Sequence, residues 1–128
     1  MKIKLLLSLF IISMFLFAGC STSDASSPEK ISAREAKKML EETKDIILLD
    51  VRTLEEYEAG HIEGAILLPD YDVEEKAELL LEDKKATILI YCRSGRRSAL
   101  AAKTLSELGY TSVYDFGGII DWPYDIVD

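Results

Sequence analysis

Residues 87–98 read Thr-Ile-Leu-Ile-Tyr-Cys-Arg-Ser-Gly-Arg-Arg-Ser, and this stretch decides the fold. Residues 87–91 form a short run of branched and aromatic side chains, the pattern of a strand buried on both faces. A polar loop containing a glycine follows Cys92. Residues 97–108 then put Ala101, Leu105 and Leu108 on one helical face, and Gly109 closes the helix. A buried strand passing through a tight loop into a helix predicts parallel pairing, because the crossover carries the chain back over the sheet.

Working outward, the same alternation recurs. Ser32 with Glu35 forms a capping box that opens a helix over 33–42, with Ala36, Met39 and Leu40 on its apolar face. Residues 46–49 are a short apolar run ending at Asp50, which predicts a strand. Thr53 with Glu56 makes a second capping box, opening a short helix closed by Gly60. Residues 65–68 predict a strand stopped by Pro69, and residues 73–81 a helix. Downstream, residues 113–116 predict a last strand, and Gly117-Gly118 turns into a short final segment. The expected fold is α/β: a single domain over residues 30–128, with a mostly parallel central sheet and helices on both faces.

The start of the chain differs in character. Lys2 and Lys4 precede thirteen largely apolar residues, 5–17, too few for a span that needs about 20. Ala18, Gly19 and Cys20 follow, resembling a bacterial lipobox, although Phe17 stands where leucine is usual. Residues 1–19 are therefore expected to be a lipoprotein signal peptide and Cys20 the lipidation site. The serine-rich residues 20–29 are expected to be a flexible tether. The domain would then be exported and held to the membrane by an N-terminal lipid anchor, on the periplasmic or extracellular side.

With the leader removed, thirteen basic residues face twenty-three acidic ones. That excess opposes phosphate neutralisation, so no nucleic-acid partner is expected. The two cysteines and one histidine, Cys20, Cys92 and His61, have no paired spacing suited to zinc, so no metal is expected. No cofactor is expected either, and the oligomeric state is left open.

The loop after residue 91 is the candidate site. Ligands of parallel sheets bind beyond the carboxyl ends of the strands, where helix N-termini present unpaired N–H groups. Gly95 allows a tight curl. Cys92 at the base of such a cup, near Arg93, Arg96 and Arg97, is expected to ionise more readily than a free cysteine and to act as a nucleophile.

Several ordered motifs sharpen this reading: Leu49-Asp50-Val51-Arg52, Glu56-Tyr57, and Gly60-His61-Ile62-Glu63-Gly64-Ala65. They continue with residues 90–98, Leu108-Gly109-Tyr110, Gly117-Gly118 and Trp122. On these motifs, over about residues 29–122, the chain resembles single-domain rhodaneses (thiosulfate sulfurtransferase-like proteins) of the small phage-shock protein E type. The resemblance implies an enzyme. Cys92 would take sulfane sulfur from thiosulfate or a similar donor, hold it as a persulfide, and pass it to a thiol or cyanide. Arg93, Ser94, Gly95, Arg96 and Arg97 would bind substrate, with Arg93 at the sulfonate end and the backbone amides around the persulfide. The alternative is a non-enzymatic sulfur carrier or partner-binding module. Phosphatases of the same fold have five residues between the cysteine and an essential arginine, whereas Cys92 and Arg97 bracket four, so phosphatase chemistry ranks lower.

The remaining polar residues have plainer readings. His61 in its glycine turn suits a structural hydrogen bond better than a general base. Asp50 and Arg52 read as mostly structural, with Arg52 expected to pair a carboxylate such as Glu56. Trp122 and Tyr124 are expected to cap the core.

Overall fold

The computed structural model describes residues 26–128. Five strands form one sheet: β1 (Glu29–Lys30), β2 (Ile47–Asp50), β3 (Ile66–Leu67), β4 (Thr87–Cys92) and β5 (Ser112–Gly118). Their order is β1-β5-β4-β2-β3, and every pairing is parallel. The helices are α1 (Ala33–Glu42), α2 (Leu54–Glu58), α3 (Val73–Leu80) and α4 (Arg96–Glu107), with 3-10 turns at Asp70–Asp72 and Ile119–Asp121.

Side chains of consecutive strand residues point to opposite faces, which gives the sheet two cores. Leu49, Ile88, Ile90 and Cys92 face α3 and α4 together with Ala77, Ala101, Ala102 and Leu105. Leu48, Leu89 and Tyr91 face the other way, with Ala36 of α1, Phe116 and Trp122. Both capping boxes form: Ser32 with Glu35, and Thr53 with Glu56. The expected α/β sheet with helices on both faces is the fold observed.

Two expectations are corrected. The last residues of the expected tether, 26–29, enter the fold, while residues 20–25 of it lie outside the described residues. Ser26 Oγ donates to the Thr111 carbonyl at 2.7 Å, the Ser106 hydroxyl donates to the Ser26 carbonyl, and Glu29 and Lys30 pair with Tyr114 and Asp115. Backbone pairing along the exposed edge of β5 fixes this stretch, which an apolar pattern could not reveal. The signal peptide over 1–19 and the lipidation of Cys20 lie outside the described residues. The second correction concerns Arg52, which pairs not with Glu56 but with Asp50.

Candidate active site

β4 ends at Cys92, and the chain then curls through Arg93 and Ser94 to Gly95, immediately before α4. Gly95 has φ of 103°, a left-handed conformation that a side chain disfavours. This curl turns the Gly95 N–H back onto Cys92 Sγ at 3.0 Å. Ser98, fully buried in the first turn of α4, places its Oγ 3.5 Å from the same sulfur. The Ser98 hydroxyl also reaches the carbonyl oxygens of Gly95, at 3.1 Å, and Gly117, at 3.4 Å. One serine thus ties the cysteine, the loop and the end of β5 together.

The other wall of the loop is the end of β5. Cys92 is in register with Gly118, past an irregularity in the β4–β5 ladder. A Cβ on Gly118 would fall 2.0 Å from the Arg93 carbonyl oxygen and 2.7 Å from Ser94 Cα, so only glycine lets the two backbones approach. The Ile120 N–H closes the contact by donating to the Arg93 carbonyl at 3.2 Å.

The three arginines of the loop have separate surroundings. Arg93 and Arg96 are exposed and make no ion pair among the described residues. Arg97 is half-buried and donates to Glu56 through both terminal nitrogens, at 2.7 and 2.9 Å. Those bonds, helped by the Thr53 cap, hold the Glu56 carboxyl down to about 2. They also raise Arg97. Ser94 is exposed at the loop's crest.

Asp50 and Arg52 form a second, buried polar network. Arg52 donates to Asp50 from Nε and, at 2.6 Å, from Nη2, while the same Nη2 reaches the Gly60 carbonyl at 2.7 Å. The Tyr91 hydroxyl donates to Asp50 at 2.7 Å and accepts the Ile62 N–H at 3.1 Å. Burial works against the Arg52 charge, but the bonds to Asp50 outweigh it and raise Arg52. Burial likewise pushes the Tyr91 phenol up. These bonds bind β2, β4 and the Gly60 turn together. His61 stacks on Tyr57 with ring centroids 3.7 Å apart, and its Nδ1 lies 2.8 Å from the Tyr57 carbonyl oxygen. It serves the turn that pairs with Val127.

An open groove of about 420 Å³ adjoins the loop. Its lining includes Arg93, Glu56, Ile119, Ile120, Trp122 and Tyr124. The structure therefore gathers Cys92, Arg93, Ser94, Gly95, Arg96 and Arg97 at one strand–loop–helix junction, as expected from their contiguity. Reading the sequence missed Ser98 and Gly118 as parts of the site. Ser98 was discoverable, since the first turn of a helix faces the loop that precedes it. Gly118 required knowing that β5 lies beside β4.

Comparison with known proteins agrees with this geometry. The model of the family described as "Rhodanese-like domain" matches residues 32–123. Thiosulfate sulfurtransferase PspE of Escherichia coli is 42% identical over 73 residues, covering 57% of this chain and 70% of that one. Bacillus subtilis YrkF, named as a candidate sulfur carrier protein, is 39% identical over 103 residues, covering 80% of this chain. The matched region is 55% of YrkF, so the chain spans about half the length of that relative. Among solved structures, an E. coli rhodanese determined with anions superposes with a TM-score of 0.61 at 38% identity, covering 65% of this chain and 98% of that one. With a cysteine-bearing loop between a parallel strand and a helix, and a family match across most of its length, the chain belongs to the rhodanese-like domain family.

Proposed function

We propose that this domain is a sulfurtransferase that moves sulfane sulfur from thiosulfate or a similar donor to a thiophilic acceptor through a persulfide on Cys92. The observation that carries the reading is the 3.0 Å bond from the Gly95 N–H to Cys92 Sγ, at the foot of a loop lined by arginines. The Gly95 N–H is placed to hold the negative charge that develops on sulfur during transfer.

The Cys92 thiolate attacks the outer sulfur of thiosulfate. A new S–S bond forms, the S–S bond of thiosulfate breaks, and sulfite leaves with the electron pair. The acceptor then attacks the outer sulfur of the persulfide, and Cys92 departs as thiolate. Neither half-reaction needs a redox partner, and the two-stage route predicts ping-pong kinetics. Arg93 and Arg96, exposed and unpaired among the described residues, offset the anionic charge of the donor. Arg97 is held by Glu56, so its contribution is to fix the loop.

The assay is thiosulfate:cyanide turnover, paired with intact mass after thiosulfate exposure. Wild type should gain one sulfur atom, lose it to reductant, and turn over; Cys92→Ser should do neither. Absence of any sulfur gain overturns the proposal. The likeness to YrkF favours a second reading, a carrier that loads stoichiometrically without turnover, and the same pair of measurements separates the two.

Export and lipid anchoring through Cys20 form part of the same proposal, supported by the basic start, the short apolar run and the small residues before that cysteine. Incorporation of labelled fatty acid in cells, lost in Cys20→Ala, tests it. Equal labelling of the variant, or none of wild type, removes it.

A further inference from the structure

A second cavity opens where the segment after the last 3-10 turn runs alongside α1. Its volume is about 620 Å³, within the range of small-molecule sites, roughly 300–1,000 Å³. Trp122 and Tyr124 line both this cavity and the groove beside Arg93, so the two rings stand between them. Leu40 of α1, Ile62 and Pro123 complete its apolar lining. The Trp122 Nε1–H donates to the Asp125 carbonyl at 3.4 Å, and the Tyr124 ring meets Trp122 edge-on with centroids 4.9 Å apart. These contacts hold residues 122–125 in place as one wall.

The charges of this cavity are one-sided. Lys37, Glu41, Glu63 and Asp125 are its charged side chains. Lys37 is already engaged: its Nζ lies 3.3 Å from Glu41 and 5.5 Å from the centroid of the Tyr124 ring. Glu63 and Asp125 are exposed and have no ion-pair partner among the described residues. Two uncompensated carboxylates therefore sit at the edge of an aromatic and aliphatic floor. That floor tolerates a cation, as the placing of Lys37 over Tyr124 shows. The chain's net charge of −8 adds a field of the same sign. An anion such as thiosulfate would meet two like charges here, with only a paired lysine to answer it.

We propose that this cavity binds an organic cation, an amine carrying a hydrocarbon body. Its ammonium group lies between Glu63 and Asp125, and its chain lies against Leu40, Ile62 and Trp122. The assignment goes beyond the sulfur-transfer reading and does not depend on it. Apolar contact supplies most of the affinity, because ion pairs to exposed carboxylates contribute little each. The carboxylates decide which sign of charge is accepted.

Titration of the full chain with hexylamine, hexanol and hexanoate tests the site, followed by the emission of Trp122, the single tryptophan. Hexylamine should give a saturable change and bind about fivefold more tightly than hexanol, with hexanoate the weakest of the three. Ethylamine should bind roughly tenfold more weakly than hexylamine, since each methylene taken from water contributes up to about a fourfold factor and an open cavity covers only part of the chain. High salt should remove most of the preference for hexylamine over hexanol. The double substitution Glu63→Gln with Asp125→Asn should do the same at low salt, while hexanol binding and sulfur loading of Cys92 stay unchanged. Amide shifts in NMR spectra locate the ligand: those of Leu40, Glu63 and Asp125 should move with hexylamine, and those of Arg93 and Gly95 should not. A flat titration, equal binding of hexylamine and hexanol at low salt, or shifts confined to the Cys92 loop overturns the proposal. The binding readouts need no sulfur transfer, so a protein that never loads Cys92 would sink that reading and leave this site standing.

Discussion

Glu56 of α2 and Arg97 of α4, 41 positions apart in the chain, meet as a two-pronged ion pair of 2.7 and 2.9 Å. The pair joins the helix after β2 to the loop that holds Cys92, so it acts on the fold and on the site together.

Its pH dependence has a definite sign. The Glu56 carboxyl sits at about 2 in the folded protein, below its ordinary 4.5. The stability it contributes is complete above about pH 4.5 and is lost as the pH falls toward 2. Glu56→Gln should lower stability by about 1 kcal/mol at neutral pH, as befits a part-exposed pair. The gap from wild type should close between those two pH values. Urea midpoints at pH 7 and pH 3 would check it, and a constant gap contradicts the account. Sulfur loading in this variant should slow roughly fivefold if freeing Arg97 weakens the transition state by a similar energy.

Gly118→Ala should be among the most damaging small substitutions. The added methyl would stand 2.0 Å from the Arg93 carbonyl oxygen, so the loop or β5 must shift. A stability loss of about 2–3 kcal/mol is expected. Loading of Cys92 should fall even where the variant is fully folded, because the displaced segment carries the nucleophile. Chemical denaturation with loading rates measures both, and a folded variant of normal rate refutes the prediction.

Ser98→Ala removes the hydroxyl that serves the Gly95 and Gly117 carbonyl groups beside Cys92. About 1 kcal/mol of stability should be lost with the hydroxyl's bonds, the Gly95 carbonyl keeping the Ala99 N–H as its other donor. Ser98→Thr should recover part of it if the pocket admits the extra methyl. Thermal unfolding compared across the three proteins is the check.

Asp50→Ala strands a buried guanidinium and leaves the Tyr91 hydroxyl without its acceptor. The expected cost is about 3–5 kcal/mol, measured by urea unfolding. Molecules that remain folded should still load Cys92, because the Asp50 carboxylate bonds only to Arg52 and Tyr91 in the described structure. Loss of loading at full foldedness would show that Asp50 acts in the site itself.

The contrast between Arg52 and Arg97 shows how far the sequence could be read. Periodicity located β4 and α4 to within one residue at each end, because burial on a strand and on a helix leaves different spacings. The loop from Cys92 to Arg97 was legible because its members are contiguous. The assignment of Glu56 to Arg52 rested on proximity in sequence, but α2 turns Glu56 toward α4, while Asp50 lies two residues from Arg52 along the same strand end. Glu29 and Lys30 carry no apolar signal because their place in the sheet is fixed by backbone bonds alone. Gly118 and Ser98 belong to the site through strand adjacency and helix phase, which only three dimensions supply.

The short pairing of β1 with β5 gives the molecule an entrance and an exit pole. Ser26 is fastened beside Thr111, just ahead of β5, whereas Cys92 is level with Gly118 at the far end of that strand. At about 3.3 Å per residue, the two ends stand roughly 20 Å apart. The described chain therefore enters the fold at the pole of β5 opposite Cys92.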